Sequence, residues 1–169
     1  TTEDYAKFSS QVSIPFWAEK QVEELFYIVF SGEGHQKAKE AATSLWYTFN
    51  DWSRFDYCVY AFFSENISRA VWSVLLSETW LRGKSGSLLT SGGLRYRDIK
   101  EMFDYALSEH LMSQGELEIF DSLPNTVQIF RGTSGISEGK TKFGMSWTLD
   151  KSCAAWFSNW KMGEPVCLS

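Results

Sequence analysis

The sequence has few of the residues that several kinds of site require. Its three cysteines, Cys58, Cys153 and Cys167, are widely spaced and form no CxxC pair, so neither a disulfide framework nor a zinc site is predicted. The two histidines, His35 and His110, lie far apart in the chain, which leaves few candidates for a histidine-dependent triad or a histidine–metal site. We therefore expect no metal cofactor, and unpaired thiols suit a reducing cytosol.

Long apolar runs and an excess of basic charge are missing as well. No apolar run approaches the roughly 18 residues that span a bilayer, and the N-terminus is polar and acidic, unlike a secretion signal. The formal net charge of −5 and the pI near 5.1 oppose binding modes that neutralise many phosphates. These absences predict a cytoplasmic protein without a membrane or nucleic-acid partner.

What the sequence does contain is typical of one folded domain. The 169 residues are 44% hydrophobic and 17% aromatic, with eight tryptophans, which is enough for a bulky core. Apolar residues recur at helical spacing between residues 18 and 112, so helices are expected to dominate this part. Helices are predicted over Val22, Leu25, Phe26, Val29 and Phe30; over Ala38, Ala41, Ala42, Leu45, Trp46 and Phe49; through residues 57–63 and 67–81; and, in one helix from about residue 96 to 112, over Ile99, Met102, Phe103, Ala106 and His110.

The pattern changes twice along the chain. Residues 82–93 are rich in glycine and serine, which predicts a surface loop. After the turn signal Pro124-Asn125, short strands with glycine-rich joints are predicted, and residues 165–168 look like the start of another strand. We therefore expect a single domain over residues 1–169, with a helical lobe in residues 1–120 and a sheet lobe in residues 121–169.

The first candidate for chemistry is Arg131. Strand alternation puts Val127, Ile129 and Arg131 on one face, so a cation ends an otherwise apolar row. A guanidinium can bind two phosphate oxygens at once, and Gly132 permits close approach of a ligand or of backbone. The sequence alone leaves a plainer alternative open, in which Arg131 points into solvent or pairs with a carboxylate.

A second predicted strand follows near residues 144–150. It places the hydroxyls of Ser146 and Thr148 on one face, although strand hydroxyls commonly bond only to backbone or water. Asp150 or Ser152 can then cap a helix. Its apolar side chains recur at helical spacing and are expected to pin the strand end onto the core: Cys153, Trp156, Phe157 and Trp160.

Together these segments resemble part of a known family. An Arg-Gly at a strand end, a glycine-rich loop, and Gly-x-Ser-x-Thr running into a helix follow one another over residues 127–157. This order resembles the NAD-binding half of ADP-ribosyltransferases of the Arg-Ser-Glu type, with Arg131 and the triplet Ser146-Trp147-Thr148 carrying the resemblance. It implies an α+β fold in which a helical N-terminal lobe packs on the start of a split mixed or antiparallel sheet, with NAD as co-substrate between the lobes.

The resemblance also implies roles for individual residues. Arg131 would hold the NAD phosphates and ribose, and Ser146 would support the catalytic site. Gly132 would lie where the nicotinamide amide approaches the backbone, and Thr148 would position neighbouring groups. The implied activity is mono-ADP-ribosylation of a protein target, without a metal. Members of the family include bacterial toxins and phage-encoded modifiers, so the cytoplasm of a host cell is an implied place of action.

One feature of the family has no match in this sequence. The family's catalytic Glu comes from a Glu/Gln-x-Glu turn two or three strands after the Ser motif. Glu164 precedes the next predicted strand and is not assigned that role, while Glu116 and Glu118 precede Arg131 and are expected in a solvated turn. We expect either a chain shortened before that turn or a derivative of the fold without efficient transfer. The alternative function is a non-catalytic binding protein or inhibitor of a host or defence protein.

A P-loop is the remaining alternative for residues 134–141, which end in Gly139-Lys140-Thr141. A P-loop needs a glycine five positions before Gly139, where this chain has Ser134, and it must open into a helix. Here a second strand is expected to follow within a few residues. A nucleoside triphosphatase is therefore not predicted.

Overall fold

A computed structural model describes residues 1–82, 94–141, 146–160 and 165–169. Over these residues the fold is mixed α+β and largely helical, with a small antiparallel sheet of two strands. This confirms the prediction of an α+β protein at the level of fold class. The chain divides into two compact units, Thr1–Glu118 and Ile119–Ser169. The predicted glycine-serine loop falls, apart from Arg82, outside the described residues.

The first unit is built from helices. They are α1 (Thr2–Gln11), α2 (Glu19–Val29), α3 (Gln36–Thr48), α4 (Asp51–Phe62), α5 (Arg69–Arg82), α6 (Tyr96–Tyr105), α7 (Ser108–Leu111) and α8 (Gln114–Ser122), whose last residues belong to the second unit. A short 3₁₀ turn, Phe16–Ala18, precedes α2. None of the described helices combines the length and apolarity needed to cross a bilayer.

Helices are confirmed in the segments of α2 to α5, and most of the apolar residues in the stripes predicted for α2, α3 and α5 face the core. In α3 the buried side chains are Ala38, Ala41, Ala42, Leu45 and Trp46, which is the spacing that puts one face of a helix inward. Gly32, at φ 78°, adopts the left-handed conformation just after α2. That conformation favours glycine and ends the helix where the sequence predicted it.

An aromatic cluster joins α1 to the other helices. The wholly buried ring of Phe8 lies 5.0 Å from Phe26 in α2 and 6.0 Å from Tyr57 in α4, measured between ring centroids. Phe49, which follows α3, lies 5.5 Å from Tyr57. Such ring pairs add about 0.5–1.5 kcal/mol each beyond the area they bury. The high aromatic content is thus used, in part, to fix a helix that the sequence did not predict.

A buried hydrogen bond connects α3 to α5. The indole Nε1 of Trp46 donates to the hydroxyl of Thr79 at 3.0 Å, and that hydroxyl donates to the carbonyl of Leu75 at 2.8 Å. Both side chains are almost fully buried. Because a buried indole needs an acceptor, this pair fixes the register of the two helices.

The single helix predicted over residues 96–112 is wrong. The chain leaves the helix at Ala106, with ψ 159°, and α7 begins only at Ser108. The freed amide of Leu107 donates to the hydroxyl of Ser73 at 2.8 Å, and Arg69 donates to the carbonyls of Tyr105 and Ala106. Tertiary hydrogen bonds to α5 therefore replace helical ones, so the apolar spacing alone was misleading.

The solvated turn expected at Glu116 and Glu118 is also wrong, since both residues lie in α8. The carboxylate of Glu116 accepts from the amide and hydroxyl of Ser113, each at 2.7 Å. Ser113 and Glu116 have the spacing of a capping box, which starts a helix.

The second unit contains β1 (Arg131–Ser134), α9 (Glu138–Thr141), α10 (Lys151–Asn159) and β2 (Pro165–Leu168). The two strands pair antiparallel, with Arg131 opposite Leu168 and Ser134 opposite Pro165. The strand predicted at residues 165–168 is thus confirmed. The strand predicted from residue 127 begins only at Arg131, because residues 127–129 make no ladder and are exposed.

A close contact fixes α10 against β1. A Cβ at Gly132 would lie 1.6 Å from the carbonyl oxygen of Ala154 and 2.9 Å from the amide nitrogen of Ser158. Helix backbone therefore occupies the space that any side chain at Gly132 would need. Ala154 and Ser158 are the buried residues of α10, because only small side chains fit so close to a strand.

The aromatic face of α10 consequently points away from β1, contrary to the expectation that it pins the strand to the core. Trp156, Phe157 and Trp160 are 57%, 43% and 62% exposed, and Cys153 is half-buried. Their rings lie 4.6–5.5 Å apart and contact one another. The prediction failed because it ranked the two helix faces by hydrophobicity, whereas the strand selected the face of smaller residues.

We expect Gly132→Ala to destabilise the protein by about 3 kcal/mol or more, since the added methyl group overlaps helix backbone that cannot move alone. Urea unfolding measures the change. Gly139→Ala is the matched control, because nothing lies within 4 Å of a Cβ there and alanine favours the helical backbone. Equal stability of the two variants would show that α10 does not pack on β1 as described.

Candidate functional site

The candidate site lies where β1 begins. Phe130, just before the strand, forms an isolated antiparallel bridge with Thr148. Its amide donates to the Thr148 carbonyl at 2.7 Å, and the Thr148 amide donates back at 2.9 Å. The next residue, Arg131, pairs with Leu168 of β2. Thr148 is thus held beside β1 by one bridge rather than by the longer strand predicted from the sequence.

Arg131 and Ser146, the two predicted catalytic residues, lie in contact. The Nη1 of Arg131 donates a hydrogen bond to the main-chain carbonyl of Ser146, while the Ser146 side chain is exposed. The contact therefore uses the backbone of Ser146 and leaves its side chain facing solvent. Gly144 and Met145, which precede it in the motif, lie outside the described residues.

The guanidinium of Arg131 is incompletely paired. Its Nε is buried and has no hydrogen-bond partner among the residues that the structure describes. Within the same residues, no carboxylate forms an ion pair with it. Burial lowers the pKa of Arg131, because a charged group loses hydration there. Arginine keeps its charge at physiological pH despite such a shift, so the site presents a partly desolvated cation with a free donor.

Thr148 uses its side chain locally. Its hydroxyl oxygen accepts the amide of Asp150 at 3.1 Å, which closes a tight turn before α10. The hydroxyl can still donate one hydrogen bond. Thr148 thus directs the chain from the bridge into the helix, and its hydroxyl keeps its proton and one lone pair for a ligand or a neighbouring group.

Asp150, one of the two cap residues predicted from the sequence, caps α10. Its Oδ1 accepts the amides of Ser152 and Cys153 at 2.7 and 3.4 Å and the hydroxyl of Ser152 at 2.6 Å. These hydrogen bonds, led by that of the Ser152 side chain, lower the pKa of the carboxyl group. The cap fixes where α10 begins and therefore where Thr148 lies.

Gly132 packs against α10 in this structure, which is one of the two roles that the sequence left open for it. The side of Gly132 that faces α10 is filled by the Ala154 carbonyl. A ligand that approaches Gly132 must therefore do so from another direction. The small residues Ala154 and Ser158, four positions apart, were the signal in the sequence for this helix–strand contact.

The region after β1 differs from the expectation in one respect. A one-turn helix, α9, follows the strand where a loop and a second strand were expected. Thr141 is buried in α9. Its hydroxyl lies 2.8 Å from the hydroxyl of Thr133 and donates to the carbonyl of Ser137 at 3.0 Å. These bonds explain why the chain turns there. The missing glycine at position 134 still argues against a P-loop.

Two other observations limit what the described residues can bind. No group of three or more His, Cys, Asp or Glu side chains among them is arranged to hold a metal ion. Glu164, which is not predicted to be catalytic, lies outside the described residues.

No protein-family model, curated protein or solved structure matches this chain.

We expect Asp150→Ala to lower stability at neutral pH, and this deficit to shrink in acid. The folded-state pKa of Asp150 lies below its unfolded value of about 4, so its stabilisation is present above that pH and is lost as pH falls through the folded-state pKa. Urea midpoints measured across this range test it. Asp150→Asn, which keeps a capping acceptor without the charge, should lie between Asp150→Ala and wild type in stability at pH 7. A deficit of Asp150→Ala that does not change with pH would contradict the assignment.

Proposed function

We propose that the second unit binds NAD through Arg131, as part of an ADP-ribosyltransferase-like domain. The observation that carries the proposal is the half-buried guanidinium with a buried, unpartnered Nε among the described residues. The pyrophosphate of NAD offers the negative charge and the acceptor oxygens that this donor lacks.

The cost of leaving a buried donor unpaired favours an anionic ligand at Arg131. The sequence left two alternatives open, exposure of Arg131 to solvent and pairing with a carboxylate. A buried donor without an acceptor costs roughly 1–3 kcal/mol, and an anion that accepts from Nε recovers part of that cost. Within the described residues, Arg131 is paired with no carboxylate and is only half exposed. Its hydrogen bond to the Ser146 carbonyl holds Nη1 in place. A guanidinium that is already held at one nitrogen loses less side-chain freedom when another of its nitrogens binds phosphate.

The neighbouring residues take supporting roles in this proposal. Ser146 fixes the guanidinium through its carbonyl and presents its side chain to the solvent side of the site. Thr148 contributes its hydroxyl proton. Gly132 directly follows Arg131, so its backbone lies next to the residue that carries the guanidinium. These are the positions to which the family resemblance assigns NAD contacts.

The proposed reaction is transfer of ADP-ribose to a protein side chain. The bond between the nicotinamide nitrogen and ribose C1′ breaks, and nicotinamide leaves. A nucleophile of the target protein bonds to C1′ and releases its proton. Lack of a group that stabilises the developing positive charge typically slows such a step about 100- to 1,000-fold. We therefore expect NAD binding to be accompanied by slow transfer.

We expect NAD to bind the wild-type chain and Arg131→Ala to weaken that binding roughly 10- to 100-fold, because a charge-assisted hydrogen bond is lost. Isothermal titration calorimetry with NAD measures the affinity. Lys151→Ala is the matched control: it removes an exposed cation from the same unit and should bind NAD as the wild type does.

Transfer is tested separately, with labelled NAD, the purified chain and cell lysate. Label that appears with wild type and not with Arg131→Ala supports the enzyme. Label transfer that survives the substitution contradicts the assignment of Arg131. Near-ultraviolet circular dichroism of the variant checks that loss of the Ser146 contact has not unfolded the unit.

The second candidate is a non-catalytic binding protein or inhibitor, and the exposed aromatic residues of the first unit favour it. Phe16, Trp17 and Trp52 are 85%, 67% and 67% exposed, and most of the acidic residues of the chain lie in the same unit. Aromatic residues are enriched where proteins bind one another. Absence of both NAD binding and label transfer would favour this function over the first.

A further inference from the structure

A cavity in the first unit, formed by residues of α4, α5 and α6 and of the α4–α5 connection, is the second candidate for a ligand site. Its volume is about 330 Å³, at the lower end of the range of roughly 300–1,000 Å³ found for small-molecule sites. Three aromatic rings line it, from Phe62, Trp72 and Tyr105. This cavity could not be predicted from the sequence, because its residues come from distant segments.

The three rings meet at steep angles. The centroids of Phe62 and Trp72 lie 5.2 Å apart with planes at 47°, and those of Phe62 and Tyr105 lie 6.5 Å apart with planes at 76°. Trp72 is fully buried, whereas Tyr105 is 47% exposed. Trp72 therefore lies behind the cavity surface, and the ring surface that a ligand can reach comes from Phe62 and Tyr105.

A single charged residue, Glu101, is found among the described residues that line the cavity. Its carboxylate lies 3.7 Å from Nε of Arg97, and both side chains are more than half exposed. Exposed pairs of this kind are worth little and exchange readily. The carboxylate is thus available to a cation in the cavity, while an anion would be repelled.

Arg69 contacts Tyr105. Its guanidinium lies 5.4 Å from the Tyr105 ring centroid and donates to the carbonyls of Tyr105 and Ala106. Arg69 is not among the residues that line the cavity. It therefore fixes the position of the ring.

We propose that this cavity binds a small organic ammonium ion, of the quaternary methylammonium type. Aromatic faces attract such cations, and the carboxylate of Glu101 adds an opposite charge. A metal ion needs several oxygen ligands, and the lining supplies few. A quaternary ammonium has no N–H groups to satisfy, so the apolar walls leave none of its polar groups unpaired.

The test compares choline with 3,3-dimethylbutan-1-ol, which has the same shape and no charge. Isothermal titration calorimetry gives the affinities, and the NMR signals of the Ile67 methyl groups and the Trp72 indole report binding at the cavity. Choline should bind at least about fivefold more tightly, as expected for one cation–π contact. Equal binding of the two compounds, or no saturable shift with choline, overturns the proposal.

Two pairs of variants test which residues bind the cation. Glu101→Gln should weaken choline binding roughly three- to tenfold, whereas Asp104→Asn, an exposed carboxylate on the same helix that does not line the cavity, should leave it unchanged. Tyr105→Leu should weaken binding while Tyr105→Phe, which keeps the ring, should not. Wild-type affinity in both Glu101→Gln and Tyr105→Leu contradicts the proposal.

Discussion

The carbonyl group of Ala154 occupies the space that a side chain at Gly132 would need, and the rest of the second unit follows from this contact. It brings α10 against β1 and turns the small face of the helix inward. The aromatic face must then point outward. Because Asp150 caps the same helix, the chain before it is held beside the start of β1. Ser146 thereby reaches the guanidinium of Arg131.

The helices of the first unit could largely be predicted, since their stripes are long and regular, as in α3. The predictions failed where tertiary hydrogen bonds or close backbone contacts decided the outcome. Ser73 and Arg69 of α5 take over backbone groups near Ala106 and split a predicted helix. In α10 the strand admits only small side chains, so the more apolar face lies outside. Hydrophobic spacing carries neither kind of information.

The candidate site was predicted by residue identity more than by geometry. The resemblance selected Arg131 and Ser146, and the two are in contact, although through a main-chain carbonyl that no motif specifies. The hydroxyl of Thr148 is partly used by the turn to Asp150. The incomplete pairing of Arg131 depends on which groups fold around it. That is a property of the folded chain, and it is the main support for an anionic ligand.

The most direct measurement is the NMR signal of the Arg131 Nε–H group, identified by its loss in Arg131→Lys, during titration with NAD. If the pyrophosphate accepts from this donor, the signal will shift progressively to saturation and its exchange with water will slow. The shift should follow the same binding curve as calorimetry. A signal that stays unchanged while NAD saturates the protein would contradict Arg131 as the phosphate-binding residue.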